Sequence, residues 1–164
     1  MEWADRIETR LLPARDAWLS YFLQLFPGMS WGLATVCLLP KQLDVQLRKV
    51  WYRVLPFLGV RRNIKLLWRT LLERFQGLGM PNFVVVAFAV KVFFLQCHWG
   101  FEGATADSMH WCYENFLVEV GLYGNVFSCN FSQFHFMATQ DTWFRNFWEL
   151  GQHLGVSVIL HEDA

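Results

Sequence analysis

Charge is scarce in this chain, and what there is lies unevenly. Asp, Glu, Lys and Arg make up 17% of the 164 residues, where about 25% is ordinary for a globular domain. Beyond residue 100 there is one base, Arg145, against eight acids, so attraction for a polyanion has to come from the chain before it. Between positions 17 and 40 there is no charged residue of either sign. Cysteine is sparse too. Cys37, Cys97, Cys112 and Cys129 form no Cys-x-x-Cys pair, and structural zinc needs ligand pairs two to four residues apart to wrap one ion. The nearest approach, Cys97-His98 with His110 and Cys112, offers adjacent ligands in an awkward geometry, so no metal and no cofactor is expected. Reduced buried thiols of an intracellular protein, cytoplasmic or nuclear, are the simpler reading.

The catalytic vocabulary is equally thin. There is no Gly-x-Ser-x-Gly elbow, no His-Glu-x-x-His helix and no phosphate-binding loop. Gly77 and Gly79 make a lone Gly-x-Gly with no strand before it and no third glycine. Glu114 and Glu119 are five apart and share a helix face poorly. His98, His110 and His135 sit among aromatic residues, where packed polar edges are commoner than catalysts. No enzyme activity is expected of this chain by itself. The opening residues Met1 to Arg6 lack the apolar run of a secretion signal, which leaves the sequon at Asn130-Phe131-Ser132 without a glycosylation route.

What the chain does have is apolar and aromatic bulk: 54% hydrophobic residues, with 9 Trp and 16 Phe. Each buried aromatic removes roughly 150–250 Å² from water, so large packed surfaces are implied. Base and acid are also segregated. Residues 1–100 hold 13 Lys or Arg against 6 Asp or Glu, a balance of +7, and residues 101–164 hold 1 against 8, a balance of −7. Positions 41–74 alone carry nine bases and two acids.

Periodicity predicts an all-α chain, a compact bundle of about six to seven helices with a short strand or extended tail at 156–160. A short charged helix is expected over 5–12. Pro27-Gly28 is expected to cut the uncharged stretch into helices 18–26 and 30–39, with Ser30 capping the second. Over 41–55, Leu43, Leu47, Val50, Trp51 and Val54 fall on one face of a helical wheel, with Lys41, Arg48, Lys49 and Arg53 opposite. A second amphipathic helix is expected over 64–75, capped by Asn63, with Ile64, Leu67, Trp68, Leu71, Leu72 and Phe75 inward and Arg62, Lys65 and Arg69 outward. Residues 76–81 break the chain; 83–96 reads as a core helix despite five valines. Asp107 is expected to cap a helix to 120, 121–132 reads as loop, and Thr139 or Asp141 starts a last helix to about 153. The chain divides into a basic amphipathic region, 1–76, and an aromatic, acidic region, 77–164, packed as one unit.

These residues resemble the region downstream of the catalytic core in non-LTR (LINE-like) retrotransposon reverse transcriptases. The likeness begins near Trp18-Leu19-Ser20-Tyr21 and passes through Leu55-Pro56-Phe57-Leu58-Gly59-Val60, Arg62-Asn63-Ile64-Lys65 and Trp68-Arg69-Thr70-Leu71. It is plainest at Gly77-Leu78-Gly79-Met80-Pro81 and runs more weakly to Trp143 and Trp148, covering about 16–150. The resemblance implies the helical thumb and the segment after it, which grip a template–primer duplex by its backbone. Two departures stand out. Gln76 occupies a place where the family often has glycine, and the Asp-Asp metal motif is absent, so nucleotidyl transfer cannot occur on this chain alone.

The expected function is therefore a non-catalytic contact with nucleic acid, RNA or an RNA–DNA duplex, through Arg48, Lys49, Arg53, Arg62, Lys65 and Arg69. The missing polymerase core domains are a second expected partner. Two other readings stand beside it. Positions 17–40 and 80–101 are long enough to cross a bilayer with a basic cytoplasmic loop between them, though Lys91 mid-span would cost about 2.5–3.5 kcal/mol. A helical protein–protein interaction module also fits the apolar surplus.

Overall fold

The computed structural model describes residues 3–5 and 12–160. It is all-α, as expected: eight α-helices joined by π and 3-10 turns, with no strand among the described residues. Residues 3–5 are helical; the remainder of the helix expected over 5–12 lies almost wholly outside the described residues. The chain gathers into two compact units, described separately. One comprises the described residues of Met1–Gly32 and Lys41–Val86, the other those of Leu33–Pro40 and Ala87–Ala164.

In the first unit, α1 (Ala14–Ser20) starts after Pro13, where a missing N–H costs nothing. Pro27 does not break the chain as expected. A π turn, Tyr21–Leu25, leads from α1 straight into α2 (Phe26–Leu33). The wider π register immediately before Pro27 makes room where its ring would strike the preceding turn of an α-helix. Ser30 is accordingly no cap: its hydroxyl donates to the Pro27 carbonyl inside the helix, at 2.9 Å. Residues 36–39, expected to be helical, have no regular structure. Helix α3 (Pro40–Val54) matches its expected span and buries Leu43, Leu47, Trp51 and Val54. Trp51 meets the ring of Tyr21 at 5.0 Å, and Trp18 and Phe22 pack around the same tyrosine.

The second amphipathic helix is much shorter than its periodicity predicts. Only α4 (Leu66–Thr70) forms, from Lys65 rather than Asn63, followed by a 3-10 turn at Glu73–Phe75. The reason is competition for carbonyls. Leu78 N–H donates to Trp68 O, Met80 N–H to Arg69 O and Gly79 N–H to Leu71 O, at 2.8–3.0 Å. In a continued helix those carbonyls would serve the N–H groups four residues on; here the returning chain takes them. Gly77 permits the return, since a Cβ there would lie 2.0 Å from Leu71 O.

Helix α5 (Phe83–Trp99) begins in the first unit and continues in the second. Asn82 opens it by accepting Val84 N–H at 3.0 Å. In the second unit, α6 (Ala104–Val120) starts at Gly103 rather than at Asp107, which sits in its first turn, and ends at Gly121 in the left-handed conformation. Within the expected loop 121–132, Asn125 caps a 3-10 turn (Val126–Ser128) and Asn130 caps the short α7 (Phe131–Phe134). Thr142 caps α8 (Trp143–Leu154). The core is aromatic: Phe147 stacks on Phe88 at 5.2 Å and meets Phe127 edge-on at 5.0 Å. Gly151 lets α8 approach, because a Cβ there would come 3.2 Å from the Phe88 ring. The indole of Trp143 donates to Ala34 O at 2.7 Å and the Asn146 amide to Leu38 O at 2.9 Å, tying the connection between α2 and α3 to this core. Residues 156–160 form no strand and have no regular structure, with Val158 O accepting from Asn125 at 2.9 Å.

Candidate nucleic-acid interface

All six basic residues picked out by the sequence lie in the first unit, but in different situations. On α3, burial of Leu43, Leu47, Trp51 and Val54 turns the opposite face outward, and Val45, Arg48, Lys49 and Tyr52 are all exposed there. Arg48 pairs one turn back with Asp44 at 2.6 Å, both ends open to water; such a pair is worth only about 0.3–0.5 kcal/mol and yields readily to a stronger anion. Arg53 is pinned to Asp5 at 2.6 Å. Arg62, in the turn after α3, lays its guanidinium over the exposed ring of Tyr52, 5.0 Å from the centroid. Lys65 stands exposed at the N-terminal edge of α4.

Arg69 differs from the rest. It is half-buried, its Nε has no hydrogen-bond partner among the described residues, and burial lowers its pKa; nearby Asp44 opposes that shift and Arg48 adds to it. The three charges therefore share one neighbourhood on α3 and α4. Two features escaped the sequence reading. Asp44, at i,i+4 from Arg48, was legible as a partner from spacing alone. The Tyr52–Arg62 contact, ten residues apart and across a turn, was not.

The apolar stripe expected to bury this segment is instead largely open: Leu67, Trp68, Leu72 and Phe75 are exposed and Ile64 and Leu71 only partly covered, and the Arg74 guanidinium lies 4.8 Å from the Phe75 ring centroid. Basic and aromatic side chains thus alternate over α3, α4 and the turn that follows. Such a surface can neutralise phosphates through Arg and Lys, and offer flat rings to bases or apolar side chains to a protein.

Of the histidines weighed for catalysis, His98 and His110 are part-buried and His135 is exposed. His110 meets Trp99 O at 3.0 Å and its ring at 4.2 Å, His98 lies on Phe94 at 4.5 Å, and His135 reaches Ser132 O at 3.1 Å. Among the described residues no three His, Cys, Asp or Glu side chains gather as metal ligands would. No single described helix is long and apolar enough to cross a membrane; only α5 with α6, bent by 113°, pass by length and composition as a pair.

Fold and surface together define an all-α protein whose first unit presents a mixed basic and aromatic face. Compared with known proteins, the chain matches no family model, no curated protein and no solved structure.

Proposed function

We propose that the chain is a non-catalytic helical module that contacts the backbone of RNA or an RNA–DNA duplex, in an intracellular setting, through the outward faces of α3 and the α3–α4 turn. The observation that carries this reading is the exposed set Arg48, Lys49 and Arg62 around Tyr52, a cluster of bases that the buried face of α3 holds outward. Lys65 extends it. Arg53 and Arg69 contribute less to binding, one committed to Asp5 and the other half-buried. The likeness to the thumb of LINE-like reverse transcriptases supports the same reading and makes the missing polymerase core a natural second partner. The open apolar side chains Leu67, Trp68, Leu72 and Phe75 favour that protein contact.

Fluorescence anisotropy of the purified chain with a labelled RNA–DNA duplex, across a salt series, tests the proposal. A log–log slope of about −3 to −5 is expected, each phosphate contact contributing about −0.9. Replacing Lys49, Arg62 and Lys65 together by Ala should flatten it by about 2 to 3. Folded protein that shows no binding at low salt refutes the nucleic-acid reading and leaves the protein-interaction module.

A further inference from the structure

A sizeable cavity lies wholly within the second unit. An open groove of about 630 Å³ lies between one face of α6, Phe94 of α5 and the 139–144 segment that opens α8. That volume falls in the range of small-molecule sites, roughly 300–1,000 Å³. Its residues on α6 recur every three or four positions from Thr105 to Glu119, so the groove follows the helix for about 20 Å at 1.5 Å per residue. Its apolar walls are Phe94, Met109, Trp111, Phe116 and Phe144, with Ser108 and Asn115 among its polar ones, and Trp111 is 66% exposed.

One end is different. Glu119 lines the cavity in the last turn of α6, and its Oε1 accepts three hydrogen bonds: from Thr139 N–H at 2.7 Å, Thr139 hydroxyl at 2.9 Å and Gln140 N–H at 3.1 Å. These fix the carboxylate and leave Oε2 without a partner among the described residues. The position is electrostatically unusual. A helix C-terminus carries about half a negative charge and favours cations, yet the last turn of α6 has an acid and no base. Burial alone would raise the Glu119 pKa; the Gln140 and Thr139 hydrogen bonds and the charge of Arg145 outweigh it and hold the carboxyl below its ordinary value. Arg145 is itself ion-paired with Asp141. A rigid carboxylate against a negative helix end, closing an aromatic groove, is complementary to a cation carrying an apolar body.

We propose that this cavity binds an amphiphilic organic cation of the arylalkylammonium class, its ring among Phe94, Met109 and Trp111 and its ammonium on Oε2 of Glu119. No bond is made or broken; the site selects by charge at one end and apolar length at the other.

Calorimetric titration of the full chain with 4-phenylbutylamine, and with 4-phenylbutanol as its uncharged counterpart, decides the matter. The amine should bind about tenfold more tightly than the alcohol, the scale of one partly desolvated charge pair. Glu119→Gln keeps an acceptor oxygen for Thr139 and Gln140 but removes the charge, and should bring the amine down to the alcohol's affinity while leaving the alcohol unchanged. Trp111→Ala, at an exposed wall, should weaken both. Equal affinities in the wild type, an unaltered amine affinity in Glu119→Gln, or no saturable binding of either compound would overturn the proposal. If Glu119→Gln does not fold, the wild-type amine-to-alcohol ratio and the Trp111→Ala titration decide it instead.

Discussion

Two buried polar side chains set the local energetics, and each has a definite response to replacement. Tyr21 is wholly buried beneath Trp18, Phe22 and Trp51, and its hydroxyl has no hydrogen-bond partner among the described residues. Burial drives its pKa far upward, so it stays neutral. A buried hydroxyl without a partner costs about 1–3 kcal/mol, while the ring supplies the packing. Tyr21→Phe should therefore raise stability by about 1 kcal/mol, read as a shift in urea midpoint with unchanged slope. Lys91 is the charged counterpart. It is 1% exposed, with a 3.5 Å contact to Ala34 O and the Trp143 ring 4.9 Å beneath its ammonium. Desolvation lowers its pKa from 10.5 to about 8, against a small opposing effect from Cys37. Below pH 8 both folded and unfolded chains hold the proton, and the folded state bears the full penalty. Between about 8 and 10.5 the folded chain releases the proton while the unfolded chain keeps it, so stability rises with pH. The shift corresponds to roughly 3 kcal/mol. Lys91→Met should remove that rise, checked by denaturant midpoints from pH 7 to 10.5. At pH 7 the gain should be smaller, about 1 kcal/mol, because a desolvated cation–π contact of about 2 kcal/mol is lost as well.

At the scale of elements, the turn after α4 is the most demanding piece of backbone. Gln76 is the one non-glycine residue with positive φ among those described, at 61°, and the chain then passes so close to Leu71 that Gly77 has no room for a Cβ. Left-handed backbone costs a residue with a Cβ about 1–2 kcal/mol, and glycine's greater unfolded freedom returns part of it. Gln76→Gly should thus stabilise by about 0.5–1 kcal/mol, whereas Gly77→Ala should destabilise by 2 kcal/mol or more, both measurable by thermal unfolding. The same turn marks how far the sequence could be read. Its glycines, Gly77 and Gly79, were visible. The helix expected over 64–75 was not stopped by any residue inside it. Its carbonyls were claimed by N–H groups about ten residues on, a tertiary event that periodicity cannot register. Helix α3 was legible because its face is buried as its pattern says and nothing competes for its carbonyls. Pro27 misled for the opposite reason: a π turn accommodates it, and no residue type announces a π turn. Among candidate site residues, exposure of Arg48 and Lys49 followed from the wheel. The half-burial of Arg69 was not legible from the wheel, and the Glu119 groove needed the 139–144 segment brought to α6.

Over the whole molecule, a net charge of zero conceals +7 in residues 1–100 and −7 in residues 101–164. Two forces can therefore draw copies together: attraction between oppositely charged regions, and the exposed apolar stripe of Leu67, Trp68, Leu72 and Phe75. Salt separates them. The screening length falls from about 30 Å at 0.01 M to about 8 Å at 0.15 M and 3 Å at 1 M, so attraction between charged surfaces fades long before physiological salt is passed. Apolar contact does not weaken with salt, and exposed large side chains each have roughly 1.5–3 kcal/mol to gain from full burial. At 0.01 M both should act and light scattering should be high near pH 7, where the net charge offers no general repulsion. Raising salt to 0.15 M should remove the charge-driven part. Whatever association persists at 0.5 M belongs to the stripe, and replacing Leu67, Trp68 and Leu72 by Ser should abolish it while leaving the low-salt part in place. Association that vanishes entirely by 0.15 M would instead mean that the stripe has no affinity for itself, and that the apolar partner these residues suit is a different protein surface.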